Sequence, residues 1–179
     1  MTEITVRRLT EEDWAEYRAL RLRSLSESPE AFVASAEEEE DYPEERWRGR
    51  MTRSQRLLAS TESEAVGVAS IGTENTAEDH IGELFGLWVS PSARGTGVAR
   101  RLLEAAANAA REDNLTHLAY WVGTDNGRAV AFASSFGFRP TDNRRPMEIR
   151  GADVDDEDAE EMAMVLPLGS SSGNIPTSL

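Results

Sequence analysis

The chain has 179 residues, 19 basic and 33 acidic, a formal net charge of −14, 39% hydrophobic residues and no cysteine. That length suffices to bury one sizeable core. The missing cysteines exclude disulfides and thiolate catalysis, and the acidity argues against nucleic acid as a partner, which needs a basic face. All nineteen basic residues are arginine, a group that keeps its charge at any usable pH and forks well onto phosphate. The acidic field would draw in a cationic amine, although solubility alone is the plainer account of it.

In chain order, Glu3 to Arg8 alternates and reads as a first strand. Thr10 followed three residues later by Asp13 resembles a capping box. It starts a helix running towards Ser26, with Trp14, Tyr17, Leu20 or Arg21, and Leu25 near one stripe, and Ser28-Pro29 breaks it. Glu37 to Asp41 reads as a solvated acidic loop or helix end. Pro43 to Arg48 reads as the first turn of a second helix, where proline is tolerated. Arg56 to Ser60 and Ala65 to Gly72 are short apolar runs joined by a polar turn, a hairpin. Ile81 to Val89 is the central strand, with Ile81, Glu83, Phe85, Leu87 and Val89 on one face. After Gly97, the residues Val98, Leu102, Ala105, Ala106 and Ala109 recur at helical spacing. Leu115 to Val122 is the next strand. Asn126 to Ser135 is a helix that Gly137 ends, and Phe138 opens a further strand. Asn143 to Glu161 reads as a long polar connection. Its Asp153, Asp155 and Glu157 alternate as in a calcium loop but lack the required glycine, so no metal is expected. Glu161 to Leu168 is a last strand. Residues 1–168 are expected to form one domain and 169–179 a disordered tail. The opening Met1 to Ile4 has no basic-then-apolar leader, and no apolar run approaches the ~20 residues a bilayer requires. A cytoplasmic location without a membrane segment is therefore expected.

The most informative stretch is Val89-Ser90-Pro91-Ser92-Ala93-Arg94-Gly95-Thr96-Gly97-Val98-Ala99-Arg100-Arg101. A strand, a basic glycine-rich turn and a helix in that order build an anion cradle. The first helical amides lack internal partners, the helix dipole is positive there, and glycine lets a phosphate come close. Three phosphate motifs compete. A P-loop needs lysine, and the chain has none. A dinucleotide fingerprint takes Gly95 and Gly97 but meets Arg100 where a small residue belongs. The pattern Arg/Gln-x-x-Gly-x-Gly/Ala is met by Arg94, Gly97 and Ala99. Here the chain resembles the GNAT superfamily of acetyl-CoA-dependent N-acetyltransferases. Leu87-Trp88-Val89-Ser90-Pro91 is similar to that family's strand leading into its pyrophosphate loop. Asn126-Gly127-Arg128-Ala129 followed by Phe136-Gly137-Phe138 resembles its second motif. The likeness is carried by roughly residues 80–140.

The resemblance implies an α/β (α+β) fold, with a mixed, largely antiparallel sheet of roughly six to seven strands and about four flanking helices. It implies acetyl-CoA as co-substrate and a primary amine of a small molecule or peptide as acceptor. By analogy it also allows a homodimer. Backbone groups of Leu87, Trp88 and Val89 would pair with the pantetheine arm, and the Val89 amide would be an oxyanion donor. Arg94, Gly95, Thr96, Gly97, Val98 and Ala99 would cradle the pyrophosphate, with Arg100 at the 3′-phosphate and Asn126 near the pantetheine or the thiol.

Glu83 is the candidate general base. It sits where the pattern puts a hydrophobe, and burial would disfavour its charged form. The plainer alternative is that Glu83 faces solvent or pairs with an arginine. The two histidines, His80 and His117, belong to no catalytic or metal cluster, and a lone histidine at a strand end is expected at the surface. Seven residues after Asn126, where the family usually has a tyrosine protonating the thiolate, this chain has Ala133. Ser134 is a weaker candidate acid. That departure keeps open a second reading, a non-catalytic acyl-CoA-binding or sensing domain. A dinucleotide-binding protein is a third.

Overall fold

The alternating β-forming and helical segments become seven strands and five α-helices in the computed structural model, which describes residues 3–32, 34–72, 80–147 and 159–169. They are β1 (Thr5–Arg8), α1 (Trp14–Glu27), α2 (Ala36–Glu40), α3 (Glu44–Arg53), β2 (Gln55–Ser60), β3 (Ala65–Gly72), β4 (Ile81–Val89), α4 (Val98–Glu112), β5 (His117–Gly123), α5 (Gly127–Phe136), β6 (Arg139–Pro146) and β7 (Glu160–Pro167). The sheet order is β1-β2-β3-β4-β5-β7-β6. The β4–β5 pair is parallel, while β1–β2, β2–β3, β5–β7 and β6–β7 are antiparallel. The described residues fall into two compact units, one within Met1–Gly72 and Gly86–Ala106, the other within Thr73–Phe85 and Ala107–Leu179.

The first unit packs α1 and α3 on the hairpin β2–β3. Its core joins Leu9, Tyr17, Leu20, Trp47, Met51, Leu58, Val68 and Trp88. The expected capping box forms, with the Thr10 amide donating to Asp13 Oδ2 at 2.7 Å, and α1 stops at Glu27, just before Ser28-Pro29. Gly67 on β3 is a close-approach position. A Cβ there would stand 3.0 Å from Leu102 Cδ1, Val98 Cγ1 and the Trp88 carbonyl, so its absence lets the first turns of α4 lie directly on the strand.

The acidic run departs from expectation. It forms α2, the helix beyond the four expected, and Glu39 within it is fully buried. Arg21 grips that carboxylate with two hydrogen bonds of 3.1 Å, and Arg50 donates to it at 2.6 Å. Both guanidiniums also lie on aromatic rings, Arg21 on Phe32 and Arg50 on Trp47. Burial alone would push the Glu39 carboxyl up, but the two arginines outweigh it and hold the group below its ordinary range.

In the second unit β5 is central, parallel to the first half of β4 and antiparallel to β7, over a core of Ile81, Ala119 and Val165. Asn126 caps α5, its side-chain oxygen accepting from the Ala129 amide at 3.2 Å, and Gly137 ends the helix. Two further expectations are corrected here. The first part of the supposed polar connection is strand β6, as far as Pro146. Its two prolines and charged residues hide the strand pattern, and they are tolerated because β6 lies at the sheet edge with an irregular register between Pro140 and Arg144. Residues 148–158, including Asp153, Asp155 and Glu157, and the tail beyond Gly169 lie outside the described residues. His117, expected at the surface, is buried with Nδ1 2.9 Å from Thr116 Oγ1.

Candidate functional site

The glycine-rich turn belongs to the first unit and is shaped by a polar network beneath it. After Val89 the buried Ser90 donates its amide to the Val66 carbonyl at 2.8 Å, holding the exit of β4 against β3. Pro91–Ala93 then makes one 3-10 turn. Gly95 and Gly97 follow with φ of 79° and 90°, a left-handed conformation that costs other residues dearly. No heavy atom stands within 4 Å of a Cβ built at either, so the turn is open on that side. The first intrahelical bond of α4 runs from the Arg101 amide to the Gly97 carbonyl at 3.1 Å. Helix geometry leaves the preceding amides, from Val98 onwards, without a partner inside the helix.

Charge agrees with this geometry. The first turn of α4 contains no acidic residue. Instead Arg100 and Arg101 stand at its start, each only 3.9–4.0 Å from Glu104. Cations at a helix N-terminus oppose the dipole, and an anion bound there relieves both. A cavity of about 500 Å³ opens beside the turn, walled by Thr61, Glu64, Val66, Ser92 and Thr96 among others. Among the described residues that line it there is no cation.

The predicted binding residues divide by what they can offer. Arg94 donates through Nε to the Val89 carbonyl at 3.1 Å and through Nη2 to Ser28 Oγ at 3.2 Å. It thus ties the turn back to the strand. Ser28 also accepts from the Trp88 indole at 3.0 Å. Trp88 and Val98 have buried side chains, so only their backbone can reach a ligand. Thr96 donates its hydroxyl to the Ala93 carbonyl. Gly95, Thr96, Gly97 and Arg100 are exposed, while Leu87, Val89 and Ala99 are half-buried. Sequence reading missed Ser28, Ser90 and Arg23, whose Nη2 donates to Ser90 Oγ at 2.8 Å. Ser28 stood out only as a helix breaker; its partners are 60 and 66 residues away along the chain.

The second unit carries Glu83, and here the expectation of burial is corrected. On β4 the buried large side chains are Ile81, Leu84 and Trp88, whereas Glu83, Phe85, Leu87 and Val89 are half-exposed. The Glu83 side chain is 35% exposed and lies 3.6 Å from Arg145 Nη2. Arg145 in turn donates through Nε to Glu161 Oε2 at 3.0 Å, and its guanidinium lies 4.3 Å from the centre of the Trp121 ring. Neither Arg145, the ion-pair partner of Glu83, nor the two residues Arg145 rests on, Glu161 and Trp121, was singled out in the sequence. Nearby, burial and then the Glu161 charge push the Tyr120 phenol up, so it keeps its proton at neutral pH. Ala133 is fully buried and Ser134 exposed on α5, which turns the Ser134 side chain towards solvent. Asn126 is exposed and spends its side-chain oxygen on the α5 cap. Among the described residues no group of His, Asp and Glu could hold a metal ion, and no helix is long and apolar enough to cross a membrane.

Comparison with known proteins bears on the family resemblance. An uncharacterized N-acetyltransferase of Archaeoglobus fulgidus is 34% identical over 93 residues, covering 50% of this chain and 60% of that protein. The mycothiol acetyltransferase of Acidothermus cellulolyticus is 33% identical over 73 residues, 41% of this chain and 22% of that one. The matched regions therefore span less than two thirds of either relative. A GNAT-family acetyltransferase of Streptococcus pneumoniae shares the fold with a TM-score of 0.72 at 21% identity, covering 93% of this chain and 100% of that one. A Salmonella typhimurium structure described as an acetyltransferase with its cofactor acetyl-CoA has a TM-score of 0.68 at 17% identity, covering 93% and 95%. The profile of the Acetyltransferase (GNAT) family matches residues 7–138, from β1 through both motifs to Phe138, and the chain belongs to that family.

Proposed function

We propose that this protein is an N-acetyltransferase that moves an acetyl group from acetyl-CoA directly to a primary amine of a small molecule or peptide, with both substrates bound together. One observation carries the reading: a left-handed, sterically open glycine turn leads into α4, whose first turn carries two arginines and no acidic residue. That donor set suits a pyrophosphate. The amides of Gly95, Thr96, Gly97, Val98 and Ala99 would hold it, with Arg94 fixing the shape of the turn and Arg100 reaching the 3′-phosphate. Residues 1–168 would act as one acetyltransferase domain.

The thioester supplies an activated acetyl group; the chain's residues supply position and proton transfer. Backbone groups of Leu87, Trp88 and Val89 would align the pantetheine arm, and the Val89 amide would face the oxygen that gains charge. Glu83, accessible and on β4, would take the proton from the incoming amine directly or through one water. Asn126 would lie near the sulfur. No tyrosine stands at the position of Ala133, so the thiolate, a good leaving group, would take its proton from water or from Ser134.

The buried Ala133 also favours a second reading, a domain that binds acyl-CoA without turnover. Calorimetry with acetyl-CoA, together with thiol release across a panel of amines, separates the two. A thiol-reactive dye is well suited, because the chain has no cysteine to react with it. Binding with amine-dependent release establishes the transferase. Binding without release on any amine favours the sensor, and no binding overturns the reading of the turn. Light scattering tests the homodimer suggested by analogy.

A further inference from the structure

Strand register brings four side chains of the second unit to one face of the sheet. Glu83 on β4 stands beside Ala119 on β5. Two residues further along β5, on the same face, is Trp121, which pairs with Ala163 on β7. Two residues before Ala163 is Glu161, whose partner on β6 is Arg145. Arg145 therefore starts on the edge strand, and its side chain turns back over Glu161 and Trp121 towards Glu83.

Its three contacts are unequal. The Nε–Glu161 bond is a charge-assisted hydrogen bond of 3.0 Å, and the guanidinium lies on the Trp121 ring at 4.3 Å. The Nη2–Glu83 approach is 3.6 Å, within ion-pair reach but long for a hydrogen bond. Arg145 is thus anchored by Glu161 and Trp121, and it offers Glu83 charge without filling the lone pairs of that carboxylate.

From this geometry we propose that Arg145 is a positioning residue for acetyl transfer, seated on Glu161 and Trp121 so as to hold the Glu83 carboxylate in place while leaving it able to accept a hydrogen bond from the acceptor amine. The proposal rests on Glu83 being the base in the reading above. It explains why an arginine stands here. A lysine ammonium cannot lie flat on the indole while forking between two carboxylates.

Arg145→Ala should lower amine-dependent kcat by about tenfold or more, while KM for acetyl-CoA stays within about twofold. Arg145→Lys should recover only part of the loss. Guanidinium chloride at millimolar concentration should restore part of the rate of Arg145→Ala and leave the native protein unchanged, a rescue that a role in β6–β7 packing alone would not give. An undiminished or increased kcat in Arg145→Ala overturns the proposal, as does a loss that guanidinium fails to restore in a variant with unchanged melting. A second arm needs no turnover. In Arg145→Ala, guanidinium should change the fluorescence of Trp121 saturably, and the change should vanish when Trp121→Phe is added; no saturable change overturns the seat. If the native protein releases no thiol with any amine, the transferase reading fails with the positioning role, and saturable guanidinium binding would still establish the seat itself.

Discussion

Two glutamates, one in each compact unit, meet arginine in opposite ways. Glu39 is fully buried, and three short hydrogen bonds from Arg21 and Arg50 occupy its carboxylate. Glu83 is 35% exposed, and its ion pair with Arg145 is longer than a hydrogen bond. The first arrangement suits a carboxylate that must stay ionised and still, linking α1, α2 and α3. The second suits one that can exchange a proton with an arriving group. An arginine neighbour therefore does not by itself separate a structural carboxylate from a chemical one. Solvent access and unfilled lone pairs do.

The sharpest way to break this comparison is to remove both charges in turn. Glu39→Ala leaves two largely buried guanidiniums without their carboxylate and should cost about 3–5 kcal/mol of stability, read from the denaturant midpoint. The sign of its pH dependence follows from the lowered carboxyl. Its stabilisation is fully present above the ordinary value of 4.5 and fades as pH falls below that through the lower folded-state value. Glu39→Gln should flatten that part of the acid unfolding curve. Glu83→Gln should do the reverse, lowering amine-dependent kcat by about 10²-fold while stability stays within about 0.5 kcal/mol. Were it to unfold the protein as Glu39→Ala does, the contrast would be false.

The glycine-rich turn proposed to hold the pyrophosphate sharpens the contrast with smaller effects. Gly97→Ala meets no atom within 4 Å, so its cost is conformational, about 1–2 kcal/mol for a left-handed alanine. Calorimetry should show weaker acetyl-CoA binding and little change in kcat at saturation. Arg94→Ala removes two hydrogen bonds at an exposed turn and should cost about 1 kcal/mol of binding. The loss should be larger at low salt, where its charge is least screened.

The strands and helices were legible where local pattern and burial coincide. The hairpin β2–β3, the strand β4, the helix α4 and the Asn126 and Gly137 ends of α5 all follow from periodicity, capping and glycine. The glycine-rich turn was legible for the same reason, because left-handed glycines and orphan helix amides are local properties of a few consecutive residues. Strand β6 was not, since an edge strand needs no alternating hydrophobes and tolerates its prolines.

By itself the sequence determined the family, most of the elements and the position of the glycine-rich turn, all of which depend on residues a few positions apart. Only the tertiary structure decided which carboxylate is buried. A run of four glutamates looks solvated until Arg21 and Arg50 close over one of them, and a glutamate in an apolar strand looks buried until an arginine 62 residues later meets it at the open face. Burial and electrostatic partnership depend on which distant segments pack together, and no local pattern carries that information.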